Sequence, residues 1–265
     1  MRGLGHSIAK GYENPHANEH NAAVQNTNSF EFDGSNDSLT IADHDDFSFS
    51  EEQNGYPDSP FSFAVWINRD SVSSNHALVC KASGSSAYEY RIFFIGDDLY
   101  MDHYDTSSGN YARRFKTNIS TINTWEHYVV TFSGDTAGWT LYKNGADLGL
   151  LSSGSGGSDP KGDMENLGAK FQVGECVGLS DFDGHMCQLI LWSKELAAYE
   201  VEYIYGGGTV ARDPRTESYS YSAADSLVGW WPLDDANGHE DHGANGHDFT
   251  KVGNASLSSS ANTPF

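Results

Sequence analysis

The feature that most constrains this chain is a series of short runs in which apolar and polar residues alternate. Residues 61–67 read FSFAVWI and residues 125–132 read WEHYVVTF, and similar runs recur along the chain between Gly, Asn, Asp and Ser. Alternation with a period of two is typical of strands that bury one face. Roughly a dozen such runs at short, regular spacing predict an all-β, antiparallel two-sheet sandwich.

Two local signals support this prediction. Asn144 and Gly145 directly follow the run 139–143, and Asn-Gly after an alternating run is a strong hairpin signal. One short helix is predicted over residues 195–205, where Leu196, Val201 and Ile204 share a face before three glycines. In the run 125–132, we predict that Trp125 and the residues alternating with it fill the layer between the sheets, and we interpret 152–163 as a surface loop.

The sequence predicts one folded domain with polar ends. Residues 1–28 are rich in Asn and His and are predicted to form an N-terminal arm, and residues 258–265 a polar tail. The domain spans 29–257 and includes a C-terminal strand segment at 225–257. That segment holds only one or two strands, which are not stable alone.

The charge of the chain excludes several partners. It has 15 Lys and Arg against 37 Asp and Glu, which gives a formal net charge of −22. Proteins that bind duplex nucleic acid neutralise phosphates with basic residues, so nucleic acid is not an expected partner. No apolar run is long enough for a membrane span, and the first residues carry no apolar signal-peptide segment. We therefore expect synthesis in a reducing cytosol.

The chain has three cysteines, which are Cys80, Cys176 and Cys187. Three are too few for a disulfide framework, and the odd number leaves at least one free thiol. Cys176 and Cys187 could approach each other across a hairpin. Cytosolic folding instead favours two buried thiols.

Seven segments, in order, resemble the laminin G-like (concanavalin A-like) jelly rolls. They are 32–41, FSFAVWI at 61–67, LVCK at 78–81, TWEHYVVTF at 124–132 with LYKNG at 141–145, 182–205, 227–234 and 243–254. The resemblance implies a jelly-roll sandwich. It does not imply one function, since many functions share a fold.

Catalysis is not expected. Sandwich enzymes that cleave polysaccharides need two carboxylates about 5–5.5 Å apart when they retain configuration, and the strand pattern Glu-x-Asp-x-x-Glu is absent from the sequence. A Gly-x-Ser-x-Gly elbow between a strand and a helix is absent as well. The sequence thus predicts a protein that is not an enzyme.

Calcium is the candidate cofactor, because hard cations bind several carboxylate and carbonyl oxygens in a loop. Two stretches supply such ligands, and the candidates are Asp33, Asn36, Asp37, Asp234, Asp235 and Asp241. The alternative is that these residues cap turns and keep the surface soluble. The spacing of His239, His242 and His247 is too loose to indicate zinc and is interpreted as part of a polar loop.

Tyrosines concentrate in the segment 88–111, where they could form a platform for a sugar ring. The candidate glycan-binding residues are Tyr88, Tyr90, Tyr100, Tyr104 and Tyr111. The alternative is that they are half-buried strand residues whose hydroxyl groups are hydrogen-bonded.

These observations lead to two functional hypotheses. The first is a non-enzymatic structural protein of a bacteriophage virion, a capsid decoration or fibre-type subunit made in the host cytosol. Its polar arm would contact neighbouring virion proteins or copies of itself, because such a segment needs a partner to become ordered, and its outer face would meet glycans or a host surface. The second is a calcium-dependent, lectin-like adhesin or carbohydrate-binding module that works outside the cell or on its surface.

Overall fold

The structure is a computed structural model. It describes residues 23–24, 26, 28–51, 57–84, 86–135, 138–156, 164–234, 239–258 and 263–265. Most of the predicted arm, residue Asp235 and part of the predicted tail therefore lie outside the described residues.

The described residues form strands joined by turns, with one α-helix. The strands are β1 (Ala23–Val24), β2 (Phe30–Asp33), β3 (Ser38–Ile41), β4 (Phe61–Arg69), β5 (Ala77–Gly84), β6 (Ala87–Ile95), β7 (Asp98–Asp105), β8 (Asn110–Lys116), β9 (Trp125–Phe132), β10 (Trp139–Lys143), β11 (Ala146–Asp147), β12 (Ser152–Gly156), β13 (Phe171–Val173), β14 (Asp183–Trp192), β15 (Ala211–Arg212), β16 (Leu227–Trp231), β17 (Thr250–Val252) and β18 (Ser256–Leu257). The helix is α1 (Ala198–Tyr205), and short 3-10 helices cover Asp45–Phe47, Gly206–Gly208 and Ala224–Ser226.

The two main sheets are antiparallel throughout, as predicted. The first sheet has the order β11-β10-β9-β4-β14-β2-β18, with β16 also paired to β14. The second has the order β12-β8-β7-β6-β5-β13-β3-β17. The predicted turn at Asn144 and Gly145 joins β10 to β11, and both residues have the positive φ that such a hairpin turn requires.

The main core lies between the two sheets, and β9 contributes to it in the register opposite to our prediction. Tyr128, Val130 and Phe132 are the buried core residues of this strand, whereas Val129 packs in a separate cluster. Trp125, which we placed in the core, is only half-buried. The prediction failed because both faces of the first sheet are covered, so alternation alone does not identify the inner face.

Helix α1 covers the outer face of the first sheet. Val201 and Ile204 of the helix pack with Val129, Ile190 and other buried residues of that face. The helix begins three residues later than predicted and ends at Gly206, whose backbone is left-handed. No helix in the described part of the chain combines the length and apolarity needed to cross a bilayer.

Both predicted termini reach into the domain. Within the predicted arm, β1 pairs with β15, and the Asn26 side chain is buried and accepts a hydrogen bond from Gln188. At the tail, the amide of Ser258 donates to the carbonyl of Ser29. The predicted loop 152–163 is likewise ordered at its start, because residues 152–156 form strand β12, which pairs with β8, while 157–163 lie outside the described residues.

The prediction of a buried thiol is confirmed for Cys187 and was wrong for Cys176. Cys80 in β5 forms a disulfide bond with Cys176, which follows β13, and the two Cα atoms are 6.1 Å apart. Cys187 is the leftover thiol and is fully buried in β14. The pairing escapes sequence reasoning because 96 residues separate the partners, which only the β5–β13 pairing brings together.

Candidate functional site

The outer face of the second sheet carries a continuous set of aromatic and charged side chains. Along β7, Leu99 and Met101 point into the core, so Tyr100, Asp102 and Tyr104 occupy the opposite face. Register pairs Asp102 with Arg113 and Tyr100 with Phe115 on β8. We call this surface the aromatic–arginine face, and it comprises Tyr88, Arg91, Phe93, Tyr100, Asp102, Tyr104, Tyr111, Arg113 and Phe115.

Asp102 lies at the centre of this face and is completely buried. Arg113 donates to it through two nitrogens, Nε to Oδ1 and Nη2 to Oδ2, each at 2.7 Å. Arg91 donates its Nε to Oδ2 at 2.9 Å. Bidentate charge-assisted bonds of this type are strong and directional. Two arginines share one carboxylate, so this centre keeps a net positive charge in a protein that is otherwise strongly acidic.

The aromatic rings surround this centre on both sides. Tyr100 stacks on Phe115 with 4.9 Å between ring centroids, and Phe93 stacks on Tyr100 at 5.4 Å. The guanidinium of Arg113 lies 5.2 Å from the Tyr100 ring and 5.0 Å from the Tyr111 ring. The rings and arginines therefore pack against one another, and we expect the face to be ordered before a ligand binds.

The hydroxyl groups of Tyr88 and Tyr100 remain protonated at neutral pH. Burial, followed by the negative charge of Asp102, raises the pKa of Tyr88. Burial and Asp98 raise the pKa of Tyr100. Burial acts to lower the pKa of Arg113, but its hydrogen bonds with Asp102, the charge of Asp102 and the neighbouring Tyr111 and Tyr88 together outweigh burial, so the net direction is up. The face thus presents hydroxyl donors and permanent cations, which suit an acceptor-rich ligand.

The structure places four of the five candidate tyrosines on this face. Tyr88 and Tyr104 are nearly buried and pack against each other, while Tyr100 and Tyr111 are partly exposed. Tyr90 was predicted wrongly, because it lies in the main core and donates its hydroxyl to the carbonyl of Phe47.

A register irregularity explains why Tyr88 and Tyr90 differ. Residues two apart in a regular strand share a face, but the pairing of β5 with β6 shifts between Lys81 and Ala82. Lys81 is opposite Tyr90, and Ala82 is opposite Tyr88. The shift places Tyr88 among residues of the outer face, where the guanidinium of Arg91 lies 4.2 Å from its ring.

The first candidate calcium stretch uses most of its ligand atoms inside the fold. Asp37 is buried and accepts hydrogen bonds from the amides of Asp33 and Asn254, and Asp33 accepts one from Ser35. The amide of Asn36 donates to Asp181 at 2.6 Å. Burial and nearby carboxylates raise the pKa of Asp181, so negative charge does accumulate at this edge.

The second stretch is organised around Asp241. Its Oδ1 accepts hydrogen bonds from the amides of Trp230 and Gly243, and its Oδ2 accepts one from the amide of His247. The carbonyl of Asp234 accepts a hydrogen bond from Asn28, and Asp235 lies outside the described residues. These hydrogen bonds stabilise the loop, and they agree with the alternative interpretation, in which the acidic residues cap turns instead of binding calcium.

A separate open pocket lies on the other side of the molecule, between the β10–β11 turn and the end of α1. Its volume is about 590 Å³. The walls include Tyr199, Tyr203 and Tyr205 together with Glu202 and Arg212. It combines aromatic rings with charged groups and is therefore the second place where a polar ligand could bind.

Sequence reasoning missed the charged residues of the aromatic–arginine face. The signal was present in the spacing, since the triplets Tyr100-x-Asp102-x-Tyr104 and Tyr111-x-Arg113-x-Phe115 each place a charge between two aromatic residues on one face. The side of the sheet to which these triplets belong became evident only from the register of β7 and β8.

The fold and the sequence together define a lectin-type β-sandwich. A family model described as the concanavalin A-like lectin/glucanases superfamily matches residues 24–202, which is more than half of the chain. The chain therefore belongs to this family, as the resemblance implied. A search of curated proteins finds no match to the sequence.

Solved structures of the same fold are distant in sequence. A protein from Bacteroides ovatus, described as a candidate carbohydrate-binding protein, is 17% identical with a TM-score of 0.58, over 89% of this chain and 60% of that one. A heptameric pentraxin from Limulus polyphemus is 14% identical with a TM-score of 0.41, over 80% and 95%. The receptor-binding domain of botulinum neurotoxin type G is 16% identical with a TM-score of 0.42, over 68% and 46%. At these identities the likeness shows the fold alone.

Proposed function

We propose that this protein is a non-enzymatic carbohydrate-binding module and that the aromatic–arginine face is its binding surface. The observation that carries the proposal is the partly exposed ring system of Tyr100, Tyr111 and Phe115 around the cationic Arg91–Asp102–Arg113 centre. Sugar rings have an apolar C–H face that packs on aromatic rings, and hydroxyl or carboxylate oxygens that accept hydrogen bonds from arginine and tyrosine.

Three further observations favour this proposal. The chain belongs to a family named for lectins and glucanases, and a protein of the same fold is described as a candidate carbohydrate-binding protein. The rings are also fixed by stacking against one another, so a ligand would pay little to order them.

The experiment is a glycan array screen with the full chain, followed by titration of the best ligand. We expect Tyr100→Ala and Tyr111→Ala to weaken binding by about tenfold each, which corresponds to roughly 1.4 kcal/mol for one aromatic contact. Tyr111→Phe should keep most of the affinity if stacking dominates. Tyr219→Ala, a highly exposed tyrosine outside the face, is the matched control.

Several outcomes would reject the proposal. If no glycan binds, or if the two alanine variants bind as tightly as the unmodified protein, the face is not a sugar site. If Tyr199→Ala alone abolishes binding, the pocket beside α1 is the site instead. Cleavage of the bound glycan would show that the protein is an enzyme.

As a subsidiary proposal, we suggest a calcium site at the acidic edge formed by Asp33, Asp37 and Asp181. Burial, together with the negative charge of Glu175, Asp37 and Asp33, raises the pKa of Asp181, and this grouping of carboxylates supports the calcium proposal. Repeating the titration with calcium and with a chelator tests it. Equal glycan affinity and equal stability in both conditions would remove calcium from the proposal.

The virion role is a proposal that rests on the N-terminal segment. Residues 1–22 lie outside the described residues, and β1 is part of the domain. Light scattering on the full chain and on a variant without residues 1–22 tests it. A defined oligomer that depends on those residues would support assembly, while two monomeric proteins would leave glycan binding as the sole function proposed.

A further inference from the structure

Three side chains from two distant segments of the sequence lie close together beside the 3-10 helix Asp45–Phe47. His44 and Asp46 belong to the segment after β3, and His247 belongs to the loop before β17. The pairing of β17 with β3 brings the two segments together. One ligand atom from each of the three side chains lies within 4.8 Å of the other two, and this is the one such group of His, Cys, Asp or Glu found in the described residues.

We propose that His44, Asp46 and His247 form a binding site for a divalent transition metal ion, with zinc as the expected metal. Two imidazoles and one carboxylate are ligands that zinc, copper and nickel prefer, whereas calcium and magnesium prefer an all-oxygen set. Three protein ligands also leave a coordination position open to water. This site is independent of the proposed glycan surface.

The distances are close to those that a metal requires. His247 Nε2 lies 2.7 Å from Asp46 Oδ2, and His44 Nδ1 lies 3.5 Å from the same oxygen. Two ligand atoms that are each about 2.1 Å from a tetrahedral zinc ion are roughly 3.4 Å apart. The contact between Asp46 and His247 therefore has to lengthen by about 0.7 Å to admit an ion, whose bonds to the two side chains replace the hydrogen bond between them.

His247 is held in position by the surrounding structure. Its ring packs on Phe47, with 4.9 Å between the centroids. Its amide donates to Asp241 at 3.0 Å, and its carbonyl accepts from Trp231 Nε1 at 2.8 Å. Asp241, a calcium candidate from the sequence, thus contributes by positioning the backbone of His247. A ligand fixed before binding loses little conformational entropy when the metal enters.

His44 offers two possible ligand atoms. Its Nδ1 accepts a hydrogen bond from the amide of Asp46 at 3.2 Å and caps the 3-10 helix. Coordination through Nε2 would keep this cap, and coordination through Nδ1 would exchange one exposed hydrogen bond for a metal bond. The rings of His44 and His247 already lie 4.7 Å apart, so either nitrogen can be presented by rotation of an exposed side chain.

Zinc chloride titration of chelator-treated full-length protein by calorimetry tests the proposal. The chain contains eleven histidines, so the readout is a difference between variants. We expect His44→Ala and Asp46→Ala each to lose one zinc equivalent or to weaken its binding by more than about 100-fold, since even the loss of outer-shell partners costs 10–100-fold. His242→Ala is the matched control and should bind zinc as the unmodified protein does.

The possible results separate the proposal from its alternatives. Unchanged zinc binding in both His44→Ala and Asp46→Ala would show that these residues form only an ion pair with His247 and would overturn the proposal. Loss of binding in His242→Ala alone would assign zinc to the loop 239–247. A circular dichroism spectrum of each variant verifies folding, and Asp46→Asn serves as a second, more conservative test of the carboxylate.

Discussion

Buried histidines should make this protein unusually sensitive to mild acid. His76, His103 and His127 are each at most 3% exposed. Burial, reinforced by Arg69 and Arg114 respectively, lowers the pKa of His76 and of His103 from 6.5 to about 4. Burial alone lowers the pKa of His127 to about 3.

The direction of the effect follows from proton linkage. Below pH 6.5 the unfolded chain binds protons at these three positions, and the folded protein does not do so until about pH 4. The free energy of unfolding must therefore fall as pH decreases through this window. Between pH 7.5 and 5.5 each histidine removes about 1.4 kcal/mol of stability, and the three together remove about 4 kcal/mol.

A variant comparison isolates this contribution. Burial raises the pKa of Glu89, Asp181 and Asp183, and protonation of these groups in the folded state opposes the histidine effect. Urea unfolding at both pH values should therefore be measured for His127→Phe, which removes one titrating ring. The stability lost on acidification should shrink by about 1.4 kcal/mol.

The control changes packing in the same cluster without removing a titrating group. Trp66 lies 5.0 Å from the His127 ring, and Trp66→Phe should lower stability equally at both pH values. If His127→Phe loses as much stability on acidification as the unmodified protein, His127 accepts its proton in the folded state. Burial would then not be what keeps this imidazole neutral.

Three other predictions concern the cysteines and Asp102. Because the Cys80–Cys176 bond closes a loop of 96 residues, we expect reduction to lower the free energy of unfolding by about 4–5 kcal/mol, as measured by urea unfolding with and without reductant. Equal stability in both conditions would mean that the bond does not form. The thiol of Cys187 should react with thiol reagents only on unfolding. Asp102→Asn should destabilise the protein by about 3 kcal/mol, because Arg113 would keep a largely buried charge without its partner. A loss below about 1 kcal/mol would indicate that water screens this ion pair.

The sequence predicted the architecture well because strand alternation, the Asn144-Gly145 turn and the glycines after the helix are local signals. It predicted less well which side of a strand is buried. Trp125 was wrongly assigned to the core, because the alternation in a run does not show which of its two faces points inward. Tyr90 was assigned to a surface, because a register shift between two strands is not visible in the sequence.

The site was predictable only in part for a related reason. Tyr100, Tyr104 and Tyr111 come from neighbouring strands of a hairpin, so their proximity follows from local sequence. His247 approaches Asp46 across 201 residues of sequence, and this approach depends on where β17 joins the second sheet. No spacing pattern within the loop 239–247 indicates it.

The last two strands have a consequence for how this protein can be divided. β17 pairs with the outer edge of β3, and β18 pairs with the outer edge of β2, so one short C-terminal stretch supplies an edge strand of only two or three residues to each sheet. A fragment cut at residue 202, where the family match ends, would leave the backbone amides and carbonyls of β2 and β3 unpaired on these borders. Such open borders recruit strands from other molecules, so we expect the fragment to self-associate, whereas in the intact chain each of these borders ends in a very short strand.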